Sequence, residues 1–182
     1  PYFGATGGVT ASGGEPLLQA KGLYNFFQEL KKNGIHTNID TNGAVFNTDV
    51  RRLLDDHTDL VMLDIKNTDS LGYLKITGIK DVGTAKKLAD HREASQKPFW
   101  LRYVLIPEIT GTTEQLHKLG TEWGHYKMVE KIEIQPYHKL GIHKWEALGW
   151  EYALSNARQN TAEELEQTSH ILSQYFNEVK IN

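Results

Sequence analysis

Short apolar runs alternate along this chain with stretches that carry apolar residues at helical spacing. That alternation constrains the fold more than any other feature. Val9-Thr10 breaks into Gly13-Gly14-Glu15-Pro16, a strand-to-helix corner with proline at a first helical position. Leu23, Phe26, Phe27 and Leu30 then share one stripe, which Asn33-Gly34 stops. Ile35 to Asp40 reads as a strand ending in the polar turn Asp40-Thr41-Asn42-Gly43, and Thr48 is placed to cap a helix with Val50, Leu53 and Leu54 inward. The run Leu60 to Leu63 is continuously apolar, as in a parallel strand buried on both faces, and leads into Asp64-Ile65-Lys66.

The rhythm repeats through a helix at Gly83 to Gln96 and a strand at Phe99 to Ile106, which Pro107 terminates. A helix at Thr112 to Trp123 and a strand at Lys131 to Gln135 follow, then Pro136-Tyr137-His138. His143 to Asn160 shows no clear period. Thr161-Ala162-Glu163-Glu164 is a capping box opening a last helix, with Leu165, Leu172 and Phe176 inward, and Glu178 to Ile181 reads as a short closing strand. Strands alternating with helices in this way predict an α/β fold with a parallel sheet and right-handed crossovers. Five strand–helix units precede the tail, and a complete eightfold barrel needs about 250 residues. The 182 residues therefore predict a partial barrel in a single domain, 1–182, without linker or low-complexity tract.

Composition removes several function classes. The net charge of −3 comes without a Lys/Arg block, so no nucleic acid is expected as partner. No apolar run reaches the ~20 residues of a membrane helix, so no membrane partner is expected either. Cysteine is absent, which excludes disulfides, thiolate zinc and any iron–sulfur cluster held by this chain itself. The glycines lack the Gly-Lys-Ser/Thr of a phosphate loop, and neither HExxH nor GxSxG occurs.

In barrels of this kind the chemistry gathers at the C-terminal ends of the strands. Here those ends carry Ser12 to Glu15, Asp40 to Asn42, Asp64 and Lys66, Arg102, and His138. Gly13 and Gly14 let a ligand approach the main chain, and Glu15 stands at a helix N-terminus, so the corner suits a ligand with an ammonium and a carboxylate. Lys66 alone admits three readings: a Schiff-base nucleophile, a salt-bridged strand end, or a cation for a ligand carboxylate. Asp40 and Asp64, if close, would repel unless a cation sat between them. Met62 reads as core.

The stretches GGVTASGGEP (Gly7–Pro16), GIHTNIDTNG (Gly34–Gly43), TDLVMLDIK (Thr58–Lys66), WLRYVLIP (Trp100–Pro107) and KIEIQPYHKLGIHKW (Lys131–Trp145), in this order, resemble the glycyl-radical-enzyme activating enzymes of the radical S-adenosylmethionine (SAM) superfamily. The resemblance runs from Gly7 to about Tyr152. It implies a partial (β/α)6 barrel of the radical SAM type. It also implies reductive cleavage of SAM by a [4Fe–4S] cluster to a 5′-deoxyadenosyl radical, which abstracts hydrogen from a glycine of a partner enzyme. That partner would be pyruvate formate-lyase or a related enzyme, the electron donor a flavodoxin or ferredoxin, and the compartment the cytoplasm.

Position by position, Gly13, Gly14 and Glu15 match the motif that receives the SAM ammonium, and Lys66 the lysine that pairs with its carboxylate. Arg102 and His138 match residues lining the adenosine side and the peptide path. Asp40 also counts among the SAM-binding set, and Asp40, Thr41, Met62 and Asp64 match positions that bind a monovalent cation beside SAM. The family's cluster loop, CxxxCxxC, follows its first strand, and neither is found here. With Pro1 in place of an initiator methionine, the expectation is a fragment of a longer enzyme, inactive in isolation. Departures from the family pattern fall at Pro107-Glu108-Ile109-Thr110-Gly111, where Pro-Gly-x-Thr-Asp is usual, and at Tyr73, where histidine is common. From the residues alone, a Schiff-base lyase built on Lys66 and a non-catalytic protein-binding barrel are the alternatives.

Overall fold

A computed structural model describes residues 7–68, 70–77, 83–152 and 154–182. Pro1 lies outside the described residues. Six strands form one sheet: β1 (Gly8–Ala11), β2 (His36–Thr41), β3 (Leu60–Ile65), β4 (Phe99–Leu105), β5 (Val129–Pro136) and β6 (Val179–Ile181). All pairings are parallel, and the spatial order is the sequence order, β1 to β6. Each crossover thus returns to the adjacent position, the winding of a (β/α) barrel stopped short of closure.

Helices α1 (Ala20–Lys32), α2 (Thr48–His57), α3 (Ser70–Thr77), α4 (Gly83–Ala94), α5 (Thr113–Trp123), α6 (Ile142–Ala147) and α7 (Ala162–Leu172) fill the connections. Their ends follow local chemistry. Asn47, one residue ahead of the expected Thr48, caps α2 by accepting from Val50 N at 3.0 Å. Thr112 caps α5, and Thr161 with Glu164 completes the expected capping box of α7. Pro16 opens a short 3-10 turn, Pro16–Gln19, ahead of α1. Neither α3 nor α6 is expected from the sequence, and among the described side chains neither puts one into the main core.

That core lies on one side of the sheet. Ile39, Val61, Leu63, Leu101, Tyr103, Ile132 and Ile134 meet Phe27 of α1, Val50, Leu53 and Leu54 of α2, Leu88 of α4, Leu116 and Leu119 of α5 and Leu172 of α7. Strand residues alternate between faces, so their neighbours Asp40, Met62, Asp64, Arg102 and Glu133 point to the other side. The expectation that Leu60 to Leu63 is buried on both faces is therefore corrected. Met62 is only half-buried, because helices cover one face and the other lines the hollow of the partial barrel. β4 shows the same alternation of buried and half-buried residues along its whole length.

Arg92 of α4 is a polar group within the apolar side and is fully buried. It donates to the carbonyls of Leu54, Thr58, Asp59 and Pro98 at 2.7–3.4 Å, tying together the approaches to β3 and β4. Burial lowers its pKa to about 10, against the pull of Asp55 and Asp59, so it stays cationic at neutral pH. In the loop after β4, Glu108 has φ +64°, a left-handed conformation natural to the glycine usual there in the resembling family. Thr110 holds that loop: its hydroxyl accepts from Ile106 N and donates to Val104 O, both at 2.7 Å.

Candidate active site

At the C-terminal ends of β3, β4 and β5 a cavity of about 630 Å³ opens, a size ordinary for a small-molecule site. Asp64, Lys66, Arg102, Gln135, His138 and Tyr152 are among its walls. Four sequence-predicted residues thus meet there: Asp64 and Lys66 from the end of β3, Arg102 from β4 and His138 just after β5.

The glycine corner reaches the same rim through Glu15. Its Oε1 accepts from Leu17 N at 3.0 Å and from the Thr41 hydroxyl at 2.6 Å, and its Oε2 accepts from Asn42 N at 3.0 Å. Three of a carboxylate's roughly four acceptor positions are thus engaged, which fixes its orientation and leaves one for a ligand. Asn42 in turn lines the cavity. Gly13 and Gly14 have φ of +90° and +51°, and a Cβ at either would meet no atom within 4 Å. Their backbone is therefore strained for other residues and open to an approaching group. Gly13 also borders a separate shallow hollow of about 260 Å³ with Pro16 and Phe26.

The acids do not face one another. Register sets Asp40 opposite Met62 and Asp64 opposite Arg102. Each acid has its own cation: Arg102 Nη1 donates to Asp40 Oδ2 at 2.8 Å, and Lys66 Nζ to Asp64 Oδ2 at 2.5 Å. Ser12 also donates to Asp40, at 3.2 Å. The Arg102 guanidinium lies 3.4 Å from Met62 Sδ, so Asp40 and Met62 already hold a cation supplied by the chain. Thr41 projects from the opposite face of β2, buried, with its hydroxyl bonded to Glu15 and Gly43 N. Of Asp40, Thr41, Met62 and Asp64, then, three side chains share the inner face and the Thr41 hydroxyl does not. Among the described residues, no group of three or more His, Asp or Glu could hold a metal ion. Asp64 Oδ1 and Arg102 Nε are buried without a protein partner, an acceptor and a donor side by side on neighbouring strands.

Sequence reading missed Lys131 and Glu133, whose side chains continue the charged inner wall at 2.8 Å from each other. It also missed Tyr137, whose phenol sits 2.9 Å from that of Tyr152 and donates to Leu154 O. Burial and the Tyr152 hydroxyl push the Tyr137 phenol's pKa up. The signal for the first two is the alternation of Lys131-Ile132-Glu133-Ile134-Gln135, which sorts its polar residues onto one face.

Comparison with known proteins places this geometry. The model of the Radical SAM superfamily matches residues 2–119. A pyruvate formate-lyase-activating enzyme from Staphylococcus epidermidis is 48% identical over 165 residues, covering 86% of this chain and 64% of the relative. The chain thus spans less than two thirds of that relative's length. Among solved structures, a domain of a pyruvate-formate lyase-activating enzyme from Bacteroides vulgatus superposes with a TM-score of 0.80 at 20% identity, covering 97% of this chain and 99% of that one. Streptococcus suis SuiB bound to S-adenosylmethionine gives 0.70 at 17% identity, covering 96% and 39%. The sheet wound in sequence order and the match over most of its length lead to one conclusion: this chain belongs to the radical SAM superfamily.

Proposed function

We propose that residues 1–182 form a single radical SAM core domain that supplies most of the SAM- and peptide-binding surface of a glycyl-radical-enzyme activase. The partner would be pyruvate formate-lyase or a relative, following the names of the most similar relatives. The observation that carries the reading is the convergence of Glu15, Asp40, Lys66, Arg102 and His138 at one end of the sheet, with Lys66, Arg102 and His138 around a common cavity.

The residues present suit SAM. Glu15, held by three donors beside the open backbone of Gly13 and Gly14, takes the ammonium. Lys66 takes the carboxylate by turning from Asp64, whose second oxygen is already without a protein partner. His138 and Arg102 border the adenosine side, and Asp40 keeps Arg102 in place. The chain's own work is to bind, orient and exclude water.

The same residues do not fit an iron–sulfur cluster. With no cysteine and no candidate metal-binding group among the described residues, this chain provides no ligand set for one. A cluster, to be reduced by a flavodoxin- or ferredoxin-type protein, is thus expected to take its ligands from residues outside these 182. Among the described residues no helix is long and apolar enough to cross a membrane. Oxygen-sensitive chemistry of this kind belongs in the cytoplasm.

Calorimetric titration with SAM tests the reading. Lys66→Ala is expected to weaken binding at least ~10-fold, the worth of a lost charge-assisted pair. Unchanged affinity would remove Lys66 from the site. Borohydride trapping of a carbonyl substrate on Lys66 would favour a lyase instead.

A further inference from the structure

Glu133 lies on β5 directly across from Arg102 on β4 and is 6% exposed. One of its oxygens sits 2.8 Å from Lys131 Nζ. The other is 3.6 Å from Arg102 Nη2 and 3.4 Å from Asn182 Nδ2. Lys131 is itself anchored, its ammonium 3.5 Å from the centre of the Trp100 ring, whose Nε1 donates to Glu130. On the far side, Arg102 Nη1 donates to Asp40. Charge therefore alternates along the inner wall: Lys131 positive, Glu133 negative, Arg102 positive, Asp40 negative.

A carboxylate this buried is costly unless paired, and a hydrophobic residue of similar volume would fill the wall without that cost. Burial opposes the ionisation of Glu133, but the Lys131 ammonium and the Arg102 guanidinium outweigh it and hold the carboxyl below its ordinary range. A guanidinium is planar, so acids on each of its two terminal nitrogens fix its tilt as well as its place. Without Glu133, Nη2 would be left with only the weak acceptor Met62 Sδ at 3.4 Å, and Asp40 would be the one acid holding the plane.

We propose that Glu133 is a positioning residue, steadied by Lys131, which with Asp40 clamps Arg102 so that it faces the cavity in a single orientation. The inference rests on the reading that Arg102 meets a ligand there.

The test uses the chain labelled with 15N-arginine, with the Arg102 Nε–Hε signal assigned by its loss in Arg102→Lys. In the wild type that signal is expected to be resolved and slow to exchange with water at pH 7. In Glu133→Gln, folded by circular dichroism, it should move toward the position of free arginine and exchange faster. An Arg102 signal with unchanged shift and exchange overturns the proposal. Should Glu133→Gln fail to fold, Glu133→Asp keeps the charge but withdraws it by one methylene, and the expected shift is intermediate; no shift again overturns it. S-adenosylhomocysteine is then titrated into both proteins. The wild-type Arg102 signal should move, and affinity should fall about two- to fivefold in Glu133→Gln, the worth of one ion pair beyond hydrogen-bond range. A wild-type signal that ignores this ligand refutes the role of Arg102 in ligand binding, whereas the Glu133→Gln spectra without ligand judge the clamp on their own.

Discussion

The two faces of the sheet are made from the same strands yet obey opposite rules. Along β3 and β4 the outward residues Val61, Leu63, Phe99, Leu101 and Tyr103 are fully buried under helices. The inward residues Met62, Asp64, Trp100 and Arg102 are half-buried, none of them a branched aliphatic, and open on the hollow. One face is thus given to holding the fold, and the other lines the cavity proposed above as the ligand site. A residue's parity along a strand says which task it has, and neighbours one position apart have unrelated costs of change.

The most severe test of that division is Arg92, a polar group working on the apolar side. Arg92→Met would leave four carbonyls without their donor and is expected to cost about 3–5 kcal/mol in urea denaturation. A cost below ~1 kcal/mol would mean that water serves those carbonyls as well. Next comes a matched pair on β3. Leu63→Ala should destabilise by about 2–5 kcal/mol, and Met62→Ala by about 1 kcal/mol or less because its site opens on the hollow. Equal losses would break the comparison.

The smallest effect concerns acid. Burial works against the ionisation of Asp59, but hydrogen bonds from Lys31 and from the backbone and hydroxyl of Thr37 outweigh it, so its folded pKa lies below 3.8. A depressed carboxylate contributes stability that is present above the unfolded pKa and lost as pH falls through the folded one. Stability measured downward from pH 5 should therefore fall below about pH 4. Asp59→Asn should flatten that limb, and an unaltered limb would show that other acids set it.

Much of this architecture was legible because it is written locally. The helical stripe of Leu23, Phe27 and Leu30, the stop at Gly34 and the Thr161–Glu164 box depend on a few consecutive residues and fall where those residues predict. Phe26, expected on the same stripe, is exposed instead, because one helical step turns it ~100° from Phe27. α3 escaped because Ser70-Leu71-Gly72-Tyr73 mixes glycine and an aromatic without an amphipathic stripe. Lys66 at the end of β3 and His138 just after β5 stood out as polar strand ends. Arg102, expected at a strand end but placed in the middle of β4, stood out as a cation within an apolar strand. What could not be read was pairing. That Arg102, rather than an outside cation, stands between Asp40 and Met62 depends on strand register, which no single strand encodes. Glu133 was hidden for a related reason: its alternation was visible, but not that the polar side of β5 turns into the barrel.

Because the strands lie in space in the order of the chain, each new strand–helix unit docks on the unit made just before it. Assembly can then proceed by accretion, although every pairing is parallel and must close a whole crossover before its strands meet, a slow step. A unit added beside β6 would leave the pairings of β1 to β5 intact, whereas loss of β1 would take the strand that leads into Glu15.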